Sequence, residues 1–327
     1  MKGISLKGIE LLKAELLYDV EKLDEIDHWL KVMNRPQGWH YDMDIIWLLN
    51  NLLEAGLKKG DTILDAGAGM GVTQFVLAAR GFNVISLDFT PRTSPELAEG
   101  IFSIEVDEQD KLKYEHNYIG FVKYIQDSPE PLDRSNSHIG DKIWRNLKKG
   151  PSNLSRLSKH RKRSKKNLKI NEIERGQNHK GFGSIQFLRA AFHDIPLENN
   201  SIDALISVSA IEHADPELLN KNIKEMKRVV KEGAPLLITT SATGETENNF
   251  HEKTMGWCFT ESALKQMTGQ TVESPFDYDQ VKNGIVNSSI WRSRLDPYYV
   301  DDPKSEFYRR ETTQLPYLPV GLKIIND

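Results

Sequence analysis

Between Asp61 and Thr90 the chain reads DTILDAGAGMGVTQFVLAARGFNVISLDFT. Two acids, Asp65 and Asp88, bracket three glycines at alternating positions, Gly67, Gly69 and Gly71, with Ala68 between the first two. A glycine turn that leads from a strand into a helix offers backbone N–H groups and the positive end of the helix dipole, which suits it to hold part of a nucleotide. The dinucleotide fingerprint Gly-x-Gly-x-x-Gly needs a glycine at position 72, where this chain has Val72. Asp65 also sets a carboxylate where a pyrophosphate would approach, and like charges repel there. A pyrophosphate cradle is therefore the weaker reading.

Asp65-Ala66-Gly67-Ala68-Gly69-Met70-Gly71 resembles the first motif of the class I S-adenosylmethionine-dependent methyltransferases, in their small-molecule branch. That resemblance implies a cofactor with an ammonium and a sulfonium, for which an acid before the glycines is well suited. Three later segments match the family in order. Asp88, twenty-one residues after Gly67, is in place to accept hydrogen bonds from both ribose hydroxyls, and Phe89 beside it to stack on adenine. Phe192-His193-Asp194-Ile195-Pro196-Leu197 resembles the segment after the third strand, which makes Asp194 the acceptor of the adenine amine and Ile195 its neighbour at the base. Asn199 to Asp215 resembles the fourth-strand motif, with Ser209 counted among the cofactor residues and the pair Glu212 and His213 at its end. The resemblance covers residues 61 to 90 and 184 to 242.

Methyl transfer from a sulfonium asks the protein to align its partners, exclude water and, for a hydroxyl acceptor, remove a proton. His213 is the candidate base or orienting group, because it follows a strand at the carboxyl end, where open α/β sheets bind ligands. A structural role for it, as a hydrogen-bonding residue in the first turn of the next helix, is equally compatible with the sequence. Glu212 is a second candidate, or it caps that helix or holds His213. Trp39-His40-Tyr41 reads as a surface turn packed on the core; the resemblance alternatively makes it a cover for the cofactor's methionine end, with Tyr41 in contact. Trp257, Phe259 and Thr260 are candidates to line the acceptor pocket or to pack in the core.

The elements that must position these residues follow from periodicity. Leu11, Leu12, Leu16 and Val20 form one helical stripe, and Ile45, Ile46, Leu49, Leu52 and Leu53 a second that ends at Gly56. ILDA and NVISLD are strands on either side of a helix over GVTQFVLAAR, a βαβ unit. SIQFLRAAFHD, IDALISVSA and PLLITTSA supply three more strands. The helix between the last two starts with Asp215 and Pro216 and ends at Gly233. The expected fold class is α/β, a doubly wound, mostly parallel sheet. Its expected organisation is a helical cap over 1–60, a cofactor-binding core over 61–90 and 184–245, an insertion over 91–183, and a substrate-shaping region over 246–327 that closes with a strand at GLKII.

The remaining composition mostly excludes. The 327 residues carry a formal net charge of -4 and a single cysteine, Cys258, so no intrachain disulfide is available. Nine histidines without metal-ligand spacing argue against a metal site. No apolar run exceeds five residues and the first 25 positions have no secretory centre, so the expected place is the cytoplasm. Between Arg145 and Lys169 there are eleven Lys/Arg and no acid. Such a run more often belongs to a solvated face, and only Trp144 lies near enough to stack a base. The expected activity is O-methylation of a small molecule or sugar. An RNA methyltransferase or RNA-binding protein, and a non-catalytic cofactor-binding scaffold, are the alternatives.

Overall fold

The computed structural model describes residues 8–35, 37–90, 98, 100–106, 181–269 and 276–327. The basic segment 145–169, like most of the expected insertion, lies outside the described residues. The first element is a strand, β1 (Gly8–Leu11), followed by a 3-10 turn over Ala14–Tyr18. The helical stripe expected to start at Leu11 is thus divided among three elements, and only its last residue, Val20, opens helix α1 (Val20–Val32). Alternating burial at Ile9 and Leu11 fits a strand as well as a helix over so short a span, and pairing with the far end of the chain decides it.

Helix α2 (Tyr41–Glu54) buries nearly its whole surface, from Met43 through Leu49 and Leu52, and lies across the sheet. Then come β2 (Thr62–Ala66), α3 (Thr73–Ala79) and β3 (Asn83–Asp88), the βαβ unit read from the sequence. Strand β4 (Ser103–Val106) lies inside the stretch expected to be an insertion, and it pairs in parallel with β5 (Ser184–Arg189) at the sheet edge. Its isolated four residues carry too short a pattern to stand out. Strand β6 (Ala204–Val208), helix α4 (Leu219–Val229) and strand β7 (Pro235–Ala242) follow as expected.

A small hairpin of β8 (Asn249–His251) and β9 (Gly256–Cys258) precedes α5 (Glu261–Thr268). The Pro/Tyr/Asp-rich stretch beyond it holds three short helices, α6 (Tyr278–Asn287), α7 (Ser289–Arg294) and α8 (Pro297–Val300), before the final strand β10 (Leu318–Ile325). Asp277, Ser288 and Asp296 each cap a helix with their side chains, which is why a polar stretch is helical.

Among the described residues the main sheet has eight strands in the order β1-β10-β7-β6-β2-β3-β5-β4. The pairs from β7 to β4 are all parallel. Strand β10 enters antiparallel to β7, with Leu318 opposite Ala242 and Ile325 opposite Pro235, and β1 pairs antiparallel outside it. The mostly parallel α/β sheet is as expected. The chain order reverses direction between β2 and β6, so the carboxyl ends of β2, β3 and β6 surround a switch-point crevice where such sheets bind ligands.

Two contacts tie the N-terminal segment to this sheet. Trp47 Nε1 donates to Glu10 Oε1 at 2.6 Å, joining α2 to β1. Trp47 also lies flat against Gly321 of β10, where an added Cβ would come within 2.3 Å of the indole. Among the described residues no helix is long and apolar enough to cross a membrane.

Candidate functional site

The glycine turn begins where β2 runs out. Gly67 N and Ala68 N both donate to Leu87 O, at 2.8 and 3.0 Å, which folds the turn back onto β3. Gly67 has φ +77°, and a Cβ there would come within 2.4 Å of Ala210 Cβ and 2.8 Å of Phe192 Cζ. Gly69 has φ +50°. Glycine is required at the first position on both counts, since a left-handed backbone and a close approach coincide there.

Asp88 at the end of β3 fastens this turn. Its Oδ2 accepts from Gly69 N at 2.8 Å, and its Oδ1 accepts from Thr90 N at 2.8 Å and Thr90 Oγ1 at 2.6 Å. A carboxylate has about four lone-pair sites, so capacity is left for a ligand. Asp65, the fourth residue of β2, is 1% exposed, and it lines the same opening.

The opening leads into one cavity of about 1080 Å3. Ligand pockets commonly run to roughly 1,000 Å3, so this volume is large enough for two small molecules side by side. Asp65, Gly67, Ala68, Gly69, Gly71, Asp88 and Phe89 line it together with Tyr41, Ser209, Glu212 and His213. Arg189, whose Nε donates to Phe89 O at 3.3 Å, is the one lysine or arginine among the described lining residues, against the carboxylates Asp65, Asp88, Glu212 and Asp215. The local field favours a cationic or neutral guest.

Ser209 follows β6 with φ +44°, a strained conformation for a serine, and its buried Oγ has no hydrogen-bond partner among the described residues. His213 ends a 3-10 turn over Ile211–His213. Its Nδ1 lies 2.9 Å from Met255 O in the β8–β9 connection. A carbonyl only accepts, so Nδ1 carries the hydrogen and Nε2 is the acceptor of the neutral ring. The structural role expected for His213 within the next helix is not what anchors it. Glu212 is buried, and Thr240 Oγ1 donates to its Oε2 at 2.9 Å. Burial pushes the Glu212 carboxyl above the usual range, with the neighbouring His213 opposing the shift.

Two expectations do not fit the geometry. Asp194 is exposed and does not line the cavity, and Ile195 is buried in the core with its N–H donating to Glu225 Oε1 at 2.9 Å. The chain turns sharply between Ala191 and Asp194, which bridge each other, and this aims the acid outward while Phe192 and His193 face the cavity. Trp257, Phe259 and Thr260 also miss the lining: Phe259 is core, Thr260 caps α5, and Trp257 packs on Phe250.

Other lining residues went unread because they arrive from distant segments. Tyr298 and Tyr299 come from α8 and Tyr317 from the approach to β10. His40 also reaches the cavity, and Trp39 and His40 are 6% and 3% exposed, so the segment taken for a surface turn is interior. Burial raises the phenols of Tyr41, Tyr298, Tyr299 and Tyr317 above their ordinary range, so all four are neutral hydrogen-bonding groups at physiological pH.

A family model described as a methyltransferase domain matches residues 160–238. The matched stretch takes in β5, β6 and α4 and lies beyond the glycine turn. The type II methyltransferase M.BsoBI of Geobacillus stearothermophilus is 27% identical over 125 residues, which is 37% of this chain; the match covers 21% of that curated relative's length. Among solved structures, the chain is similar to a SAM-dependent methyltransferase from Methanosarcina mazei, at 16% identity and a TM-score of 0.36, over 67% of this chain and 82% of that one. It is also similar to geranyl diphosphate C-methyltransferase from Streptomyces coelicolor, at 12% identity and a TM-score of 0.35, over 98% and 91%. The matched methyltransferase domain is laid over β5 and β6 and reaches the start of β7, in the same sheet that carries the acid-flanked glycine turn.

Proposed function

We propose that the protein methylates a hydroxyl group of a small molecule or sugar. The observation that supports this most is one cavity lined both by the acid-flanked glycine turn and by imidazole and phenol groups. The residues present fit the cofactor: the cradle at Gly67 is one that a Cβ would fill, and the carboxylates at the mouth complement cationic groups. Asp88 would hold the ribose hydroxyls, Asp65 the cationic amino-acid end, and Phe89 the adenine face. Bound there, S-adenosylmethionine supplies a methyl group already activated by a positive sulfur.

The chain's own contribution is alignment, exclusion of water and handling of one proton. His213 presents Nε2 as an acceptor, as a base or an orienting group for the acceptor hydroxyl. Glu212, kept toward its neutral form by burial, braces Thr240 and the floor beneath His213. The small number of positive groups in the lining supports an uncharged acceptor over a phosphorylated one.

Calorimetric titration tests the cofactor reading. S-adenosylhomocysteine is expected to bind with one-to-one stoichiometry and NAD to give no heat of binding; tight NAD binding would overturn the reading. Native mass spectrometry of the purified protein, followed by methyl transfer assays on any small molecule it carries, tests the acceptor class. Replacing His213 by Ala should leave the homocysteine product's affinity unchanged while lowering transfer to that acceptor about 100-fold or more, the range expected for loss of either a base or acceptor alignment.

A further inference from the structure

The strongest unassigned feature is a chain of buried polar groups at the cavity wall. His40 is the residue just before α2 and Asp44 lies one helical turn on, so the two side chains share a face. His40 Nδ1 and Asp44 Oδ2 are 2.6 Å apart, with the side chains 3% and 0% exposed. The other oxygen of Asp44 has no hydrogen-bond partner among the described residues. A carboxylate accepts, so the hydrogen resides on Nδ1 and His40 Nε2 becomes the acceptor. That nitrogen lies 3.5 Å from the hydroxyl of Tyr317. Trp39 Nε1 donates to the same hydroxyl at 3.2 Å, which leaves the phenol proton to point toward His40. Tyr317 and His40 both line the cavity; Asp44 stands behind them.

We infer that His40, oriented by Asp44 and reached through the hydroxyl of Tyr317, is the group that takes the proton from a hydroxyl-bearing acceptor. This rests on the methyltransferase reading and assigns its proton step. The O–H bond of the acceptor breaks and its proton passes to the Tyr317 oxygen. The phenol proton of Tyr317 passes to His40 Nε2, and the electron pair stays on the acceptor oxygen. The resulting imidazolium faces Asp44, an anion held in place before the proton arrives. His213 then orients the acceptor, and Asp44 is a positioning residue. The other titratable groups that face this chain are Glu212, Tyr41 and Tyr299, with His251 edge-on to Tyr317 at 5.6 Å. None of them is a cation at neutral pH by nature of its type except His251 when protonated, so Asp44 is the charge matched to an imidazolium.

The test needs no knowledge of the natural acceptor. p-Nitrophenol, whose coloured phenolate reports its own ionisation, is titrated optically in the presence of the full-length protein saturated with S-adenosylhomocysteine. The probe is expected to bind and to ionise at a pH lower than in buffer by about one unit or more, as a proton acceptor paired with an anion predicts. Asp44→Asn and His40→Gln should return the midpoint toward the buffer value. Tyr317→Phe, which removes one oxygen and keeps the ring, should do the same, and it covers the case in which a dyad variant fails to fold. A probe that does not bind, or a midpoint unmoved from buffer in the wild type, would overturn the inference, as would a lowered midpoint that persists in Tyr317→Phe and His40→Gln. Calorimetry with S-adenosylhomocysteine in the same samples separates this from failure of the methyltransferase reading: loss of the inference with nucleoside binding intact leaves that reading standing.

Discussion

At Gly67 one methyl group is enough to close the mouth of the cavity. Gly67→Ala would place a side chain 2.4 Å from Ala210 Cβ on a backbone at φ +77°, and should cost about 1–3 kcal/mol in thermal unfolding and abolish S-adenosylhomocysteine binding by calorimetry. Asp88 has two duties, since it fastens Gly69 and Thr90 as well as facing the ligand. Asp88→Asn is therefore expected to weaken the nucleoside by tenfold or more, about 1.4 kcal/mol, with only a small drop in melting temperature. At this scale the form of the turn is legible where spacing and backbone demand coincide, as at Gly67 and Gly69 with their positive φ. The sequence misled at Asp194, because a tight turn can aim an acid to either side and no local pattern says which. His40 was read as part of a surface turn because its partners, Asp44 apart, lie at the other end of the chain.

Elements built on a long apolar period or a clear cap were legible: α2, α3, α4, α5 and the parallel strands other than β4. The short ones were not. β1 and β4 have four residues each, and their identity comes from pairing with β10 and β5, which lie far away in sequence. The packing of α2 on β10 depends on Gly321 lying under Trp47. Gly321→Ala is expected to lose about 1–3 kcal/mol in denaturant unfolding, because the indole is held by its bond to Glu10 and has little room to move. Asp203, in the loop before β6, carries an acid test of the same sheet. Burial raises its carboxyl, but Lys231 Nζ at 2.5 Å and the Thr62 N–H at 2.8 Å outweigh that and hold it below the ordinary 3.8. A depressed folded value means the contribution is present above about pH 3.8 and is lost as pH falls through the lower folded value. Equilibrium unfolding followed from pH 6 to pH 2 should show that loss in the wild type, and Asp203→Asn should flatten it.

At the scale of the whole fold, one side of the sheet is closed by two strands far apart in sequence. β1 and β10 are the outermost antiparallel strands on one side of the sheet, and Ile9, Leu11 and Leu12 are buried there against the core. Burying each such side chain contributes about 1.5–3 kcal/mol, so removal of residues through Leu12 should cost several kcal/mol, a large share of a typical domain's stability. The expected result is a melting temperature lowered by many degrees and a tendency to associate through the bared edge of β10, seen by light scattering. Because β10 sits between β7 and β1, a chain emerging from the ribosome holds its first strand without a mate until Leu318–Ile325 has been made. Tyr317 is delivered next to that strand, so this wall of the cavity and this side of the sheet are finished together. A copy synthesised only as far as β7 would therefore be exposed to chaperones and proteases before this wall of the cavity is in place.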